Sequence, residues 1–309
     1  MKEKHFWLAI FVILISWGGN YTYFLSKQLD EPIFLKHYYE SYITKEGEAQ
    51  LTFYYLVNKQ SPINVQYVRI DGIEFYPIDD GSWTNPDIQQ YDQEFKHQYL
   101  KSFTINFPRQ SLPIAEGSTG PWTFEKMEVG FDTSTVMTVD IGKVNIFLEP
   151  QKKPPLEFRM GSSGNDHREE QEFAATEKVK IEDITTPFSE LAKNVAIKVN
   201  SDQMNELDLL NKDKVLPAWF NDSMRKNWQE THGISLNETL FPFNLEKGEW
   251  MRLIMFINPN QHSYLQYSLK IHGTTASGHS FTSEIPITDH PYLEQKDVDE
   301  IIAAQGRGK

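Results

Sequence analysis

The sequence predicts a mainly β protein with a few short helices, in which a single N-terminal transmembrane helix precedes one or two β-sandwich-like (Ig-like) units. Three observations predict it. An almost uncharged apolar run begins at Phe6 and ends at Leu25, directly behind the basic start MKEKH. The rest is rich in aromatic and β-branched residues, set in short stretches between turn residues, which is the signature of strands. No second apolar stretch follows that is long enough to span a bilayer.

As a helix, at about 1.5 Å rise per residue, the first run is roughly 30 Å long and matches a bilayer core. Trp17, Tyr21, Tyr23 and Phe24 cluster at its end, where an interfacial aromatic belt belongs. Lys2 and Lys4 precede the run, whereas Lys27 and Lys36 follow it among Asp30, Glu31 and Glu40. The positive-inside rule then puts the N-terminus inside a cell membrane crossed once, with the bulk of the chain extracytoplasmic. The alternative is a cleaved signal peptide. Residues 6–17 have the length of an h-region, and Ser16-Trp17-Gly18 is a small-x-small cleavage site.

The chain has no cysteine, which removes disulfides, thiolate zinc sites, thiol nucleophiles and lipidated cysteines. The roughly 280 residues beyond the anchor must therefore fold by burial alone, and that length suffices for one or two cores. An extracytoplasmic part without disulfides suits a bacterium with a single membrane. The net charge of −13 argues against nucleic acid or anionic lipid as a partner, since both are held by Lys and Arg clusters.

Composition divides the chain into a tail and anchor (1–27), a first β-rich part (28–150), a linker or long loop (151–172) and a second β-rich part with a helical insertion and a short tail (173–309). Strands are expected at 33–43, 51–57, 65–70, 73–78, 103–107, 123–131 and 136–148. The pair 51–57 and 65–70 reads as a hairpin ending at Asp71-Gly72, and Asp132-Thr133-Ser134 turns a second one. Between them, Asn85 and Pro86 can start a helix whose one face carries Ile88, Tyr91, Phe95 and Tyr99. The linker assignment rests on Lys152-Lys153-Pro154-Pro155, Gly161-Ser162-Ser163-Gly164 and the charged run from Asp166 to Glu170. Further strands are expected at 178–184, 195–199, 249–257, 264–271 and 280–287. A helix over 217–231 sets Phe220, Met224 and Trp228 at steps of four, and 298–303 is a short amphipathic segment. The stretches Val57-Asn58 with 68–72 and Ile257-Asn258 with 269–273 look alike, which shared hairpin preferences explain better than duplication.

Catalytic patterns are sparse. Ser223-Met224-Arg225-Lys226 with Ser235-Leu236-Asn237 resembles the Ser-x-x-Lys and Ser-x-Asn pieces of penicillin-binding proteins, in which a lysine activates a serine. The pieces stand too close together, however, and no Lys-Thr-Gly triplet follows. His37, His97, His167, His232, His262, His272, His279 and His290 lack the spacing that puts two imidazoles on one helix face. His272 and His279 can meet across a turn, as half of a metal site at most. Asp79-Asp80-Gly81-Ser82 with Asp87 lacks the alternating carboxylates of a calcium loop and reads as a turn. Tyr38-Tyr39, Tyr54-Tyr55 and Trp83 either fill sheet cores or form a binding patch.

No catalytic, cofactor-binding or metal-binding residue is assigned, and no cofactor is expected. The reading is a membrane-anchored extracytoplasmic β-rich protein of non-catalytic binding or accessory type, with a protein or envelope polymer as its partner. One alternative is an exported envelope hydrolase whose paired carboxylates leave no local signature. Another is a module secreted after signal cleavage.

Overall fold

Alternation along one long strand sets the first sheet. Ala49, Leu51, Phe53 and Tyr55 are buried, whereas Glu48, Gln50, Thr52 and Tyr54 between them are not, so one face of the strand turns to a core. The computed structural model describes residues 3–44, 46–78, 91–115, 118, 120–148, 154–164, 167–202, 216–236 and 240–306. Helix α1 (Glu3–Leu25) leads to β1 (Ile33–Phe34), β2 (Lys36–Ile43), β3 (Glu48–Asn58), β4 (Val65–Ile70), β5 (Ile73–Phe75) and β6 (Gln93–Glu94). Then come β7 (Gln98–Pro108), β8 (Trp122–Phe131) and β9 (Val136–Leu148). These strands make two layers, β1-β3-β7-β6 and β5-β4-β8-β9-β2. Aromatic rings fill the space between them: Phe107 lies 4.9 Å from Phe75 and 6.0 Å from Phe124, and Phe34 lies 6.4 Å from Phe131. Each such buried side chain contributes about 1.5–3 kcal/mol, so the sandwich has no need of a covalent staple.

The second half repeats the plan. Its elements are β10 (Leu156–Gly164), β11 (Arg168–Ala175), β12 (Val179–Thr185), β13 (Val195–Ser201), α2 (Asp222–Glu230) and β14 (Ile234–Ser235). They continue as β15 (Phe243–Leu245), β16 (Trp250–Ile257), β17 (Ser263–Thr275), β18 (Ser280–Asp289) and α3 (Gln295–Gly306). One layer is β10-β11-β16-β13-β14, and β15-β12-β17 with β18 forms the other. When β1, β3, β4, β6, β7, β8 and β9 are lettered A to G, the layers read A-B-E-D and C-F-G. Lettering β10, β11, β12, β13, β16, β17 and β18 in the same way returns the same two layers. That is the strand order of the immunoglobulin fold, so both halves are Ig-like sandwiches.

Local chemistry explains the punctuation. Asp71 and Gly72 both have positive φ, 49° and 82°, and they close the β4–β5 hairpin as an Asp-Gly pair does. Gly142 (φ 94°) lies so close to β2 that a Cβ there would overlap the His37 carbonyl oxygen. Asn221 caps α2 by accepting the Met224 N–H at 2.8 Å, and Met224 and Trp228 on its inner face pack with Phe220 and Phe256.

Three expectations change. Residues 51–57 and 65–70 do not pair, because β3 lies between β1 and β7 while β4 pairs with β5 and β8 in the opposite layer; the chain crosses the sandwich there. The helix expected over 85–99 is a strand pair where it is described. Tyr91 stacks on Tyr99 at 4.5 Å beside the antiparallel β6–β7 ladder, so the four-residue spacing reflects two facing strands. Asn85, Pro86 and Ile88 lie outside the described residues. Much of the expected linker is the β10–β11 hairpin, in which the exposed edge strand β10 can be polar while β11 buries alternate residues.

The two sandwiches are not strung on a tether. Strand β17 pairs in parallel with β2 from Ser263↔Lys36 to Gln266↔Tyr39, and farther along it pairs with β12. One nine-stranded sheet therefore runs through both halves. Around this joint Tyr54 stacks on Tyr264 at 3.9 Å. His37 is fully buried: its Nε2 accepts the Tyr54 N–H at 3.0 Å, and its Nδ1 donates to the Ile141 carbonyl. Burial pushes this imidazole down to about 3, so it stays neutral. Beside it the buried Glu40 carboxylate lies 2.9 Å from Lys270 Nζ and accepts the Ser268 N–H at 3.1 Å. The same ammonium lies 2.9 Å from Glu284, whose carboxylate accepts the Tyr42 hydroxyl. Finally α3 returns to the first core, where Leu293 and Val298 are buried and Ile301 and Ile302 pack against it.

Removing the cation alone leaves Glu40 buried without a counter-charge, a loss of about 3 kcal/mol. Lys270→Met should lower the urea-unfolding free energy by that amount. A loss under about 1 kcal/mol would contradict the account of the joint.

Candidate functional site

The second sandwich carries the features least explained by packing, and both lie on the β10–β11 hairpin. On β11, Glu169, Gln171 and Phe173 point inward. Two of these are polar because they meet the outer edge of β18. Gln171 Nε2 donates to the Pro286 carbonyl at 2.5 Å, and Glu169 Oε1 accepts the Thr288 N–H at 3.3 Å. At the hairpin tip His167, with φ 57°, sets its Nδ1 3.1 Å from Asp289 Oδ1. Desolvation pushes the Glu169 carboxyl up to about 7, the Thr288 N–H opposes the rise and Asp289 adds to it. The cluster is thus a seal along a sheet edge, able to hold a proton near neutral pH.

The other feature is the open edge of β10, where the Phe158 ring leans on Phe173 at 5.8 Å. Phe158 and Met160 are 56% and 55% exposed, although they sit on a nine-residue strand. A further open cleft on this sandwich is lined by Lys180, Glu182, Asp183, Phe241 and Pro242, with charged and apolar groups but no enclosed volume. Among the described residues no three His, Asp or Glu side chains gather as metal ligands.

The structure separates the residues that the sequence singled out. Ser223 is exposed on α2, and the Lys226 ammonium lies 3.9 Å from Glu230. Asn237 lies outside the described residues, as do Trp83 and the acidic turn at Asp79, Asp80, Gly81, Ser82 and Asp87. His272 bonds with Thr185 and Thr282, while His279 bonds with Ser277, so each ring is engaged with its own neighbours. Tyr39 and Tyr55 are buried in the first core, Tyr38 packs on Phe188, and Tyr54 joins the stack at the joint. Sequence reasoning missed Glu169 and Asp289 and left His167 unassigned among the scattered histidines. The only available signal was the period-two placement of Glu169 and Gln171 ahead of Phe173 and Ala175, which the charged run around them obscures.

No family model matches the chain, and no curated protein matches it. Among solved structures it is similar to the crystal structure of DIP-gamma IG1+IG2, at 8% identity over 85% of this chain and 99% of that one, with a TM-score of 0.19. It is also similar to the Enterococcus faecalis MSCRAMM ACE, described as binding its ligands by the collagen hug model. That match has 11% identity over 87% of this chain and 97% of the other, with a TM-score of 0.21. At such scores the assignment of the fold rests on the strand order alone.

A carboxyl raised in the folded state favours the fold most below its ordinary value, and that contribution is lost as pH climbs toward 7. Glu169→Gln should therefore be more stable than the parent at pH 8 by up to about 3 kcal/mol, with the difference shrinking toward pH 4. Urea unfolding across that range checks it, and parallel profiles for the two proteins would contradict the proton-holding role.

Proposed function

We propose that this chain is a single-pass membrane protein with its N-terminus inside, holding two β-sandwich units outside the cytoplasm as a non-catalytic binding or accessory arm. The first unit takes residues 28–150 and the second takes residues 173–309 together with the β10–β11 hairpin that precedes them, and the partner is a protein or an envelope polymer. The observation that carries the reading is α1: a helix of 23 residues whose apolar window is unburied, with contacts to the sandwiches at its end. An apolar helix with no protein against it needs lipid.

The junction supports a stiff mounting. Phe24 and Tyr23 pack on the His97 ring at 5.7 and 6.4 Å, and Gln98 Nε2 donates to the Lys27 carbonyl at 2.6 Å. Lys27 also lies 3.6 Å from Asp299 on α3. The anchor thus leaves the first sandwich through contacts rather than through a flexible spacer. The charge balance disfavours nucleic acid.

Cell fractionation with intact-mass measurement tests the anchor, and protease added outside intact protoplasts tests the side. The full-length chain should stay in the membrane fraction and lose its sandwiches to external protease. A soluble form beginning near Gly19 would replace the anchor with a cleaved signal, and digestion only after lysis would put the sandwiches in the cytoplasm.

A further inference from the structure

We infer that the outer edge of β10 is a homotypic contact, through which two copies of this chain pair antiparallel about a twofold axis at Phe158. Long edges on β proteins are normally blunted or covered, because unpaired N–H and C=O groups recruit another strand. Most terminal strands here obey that rule. Strands β5, β6, β14 and β15 are three residues or shorter, and β18 is capped by Gln171 and Glu169 and interrupted by Pro286. Strand β10 is nine residues long, pairs only with β11 among the described residues, and carries Arg159 as its single cation and no proline.

The hydrogen-bonding phase of this edge is fixed by its neighbours. Thr176 N–H donates inward to the Pro155 carbonyl at 2.9 Å, whereas Ala175 N–H, opposite Leu156, donates away from β10 to Glu249. Alternation then turns the N–H and C=O of Leu156 and Phe158 toward the open side. A residue with both groups facing out can exchange two hydrogen bonds with its own copy, which is the geometry of a twofold antiparallel centre.

The side chains about that centre are complementary to themselves. Glu157 and Arg159 lie on one face, 3.4 Å apart. Across the axis each Glu157 meets the other copy's Arg159, so the pair is satisfied twice and like charges never face each other. At the axis the Phe158 backbone meets the Phe158 backbone of the other copy while the ring leans on Phe173, and the short side chains from Gly161 to Gly164 leave the edge beyond it open. The bulge between Phe158 and Met160 leaves Arg159 outside the β11 ladder and limits the contact to a short ladder. Such a contact is weak in free solution. It gains strength where two chains share one membrane, which raises their effective concentration, so its occupancy in cells rests on the anchoring proposed above.

A chain without cysteine makes the test clean. Only the residue on the axis meets its own copy, so Phe158→Cys in the full-length protein should form a covalent dimer on mild oxidation. Ser162→Cys should give at least fivefold less, because its two copies stand roughly 26 Å apart at about 3.3 Å per residue. Glu157→Arg added to Phe158→Cys should cut the dimer severalfold, and the exchange Glu157→Arg with Arg159→Glu should restore it. As a second route that keeps Phe158, differently tagged Glu157→Cys and Arg159→Cys chains should crosslink to each other. Oxidation is run on whichever fraction holds the chain, so loss of anchoring and loss of pairing are read separately. Equal crosslinking at 158 and 162, or no rescue by the charge exchange, would overturn the inference.

Discussion

The parallel pairing of β2 with β17 is the constraint on which the rest of the molecule depends. Two Ig-like sandwiches joined by a loop would move independently by default, since small polar interfaces tolerate motion. Here the interface is a backbone ladder. Strand β2 closes the outer side of the first sandwich against β9 and opens the second through β17. Because β17 leaves β2 after Gln266 and meets β12 from Lys270 onward, a single strand belongs to both neighbourhoods, and neither sandwich can rotate without breaking it.

That constraint explains the chemistry of the joint. A ladder in the middle of a sheet buries polar side chains of β2, which carries His37 and Glu40 in buried positions and Tyr42 in a half-buried one. Each is accommodated by a specific partner: a neutral imidazole between two backbone groups, a carboxylate against Lys270, and a hydroxyl against Glu284. Ion pairs of this kind add little net stability over an apolar core. Their effect is to make any other register costly, since a slip of one residue would strand a charge. The stack of Tyr54 on Tyr264 and the return of α3 to the first core fix the same relation from two more sides.

Much of the fold was legible because sandwich strands alternate. Residues 123–148 gave their hairpin through the Asp132–Ser134 turn, and β12, β13, β16, β17 and β18 were visible from their apolar alternation. The misread hairpin has a plain cause, which is that neighbouring strands in sequence need not join the same layer. Residues 51–57 and 65–70 are neighbours in the chain and so resemble a hairpin, although they occupy opposite layers. Tyr91 and Tyr99 have helical spacing because they face each other across a tight turn. Strand β10 was invisible because an edge exposed on both faces has no apolar face to display, and its GSSG stretch has loop composition. The carboxylate at Glu169 was illegible for the opposite reason: it is buried among acidic neighbours that suggest an exposed surface. A partner for the proposed binding arm is illegible in the same way, since recognition rests on surfaces rather than on motifs.

If the two sandwiches form one body through β2 and β17, the amides of that ladder are as protected as those of the cores. Hydrogen exchange of the full-length chain, resolved over residues 36–39 and 263–266 and compared with 51–55 and 251–255, tests this most directly. The account predicts exchange at the joint as slow as in both cores. Fast exchange at the joint while the two cores remain protected would mean that the sandwiches separate readily, and would contradict it.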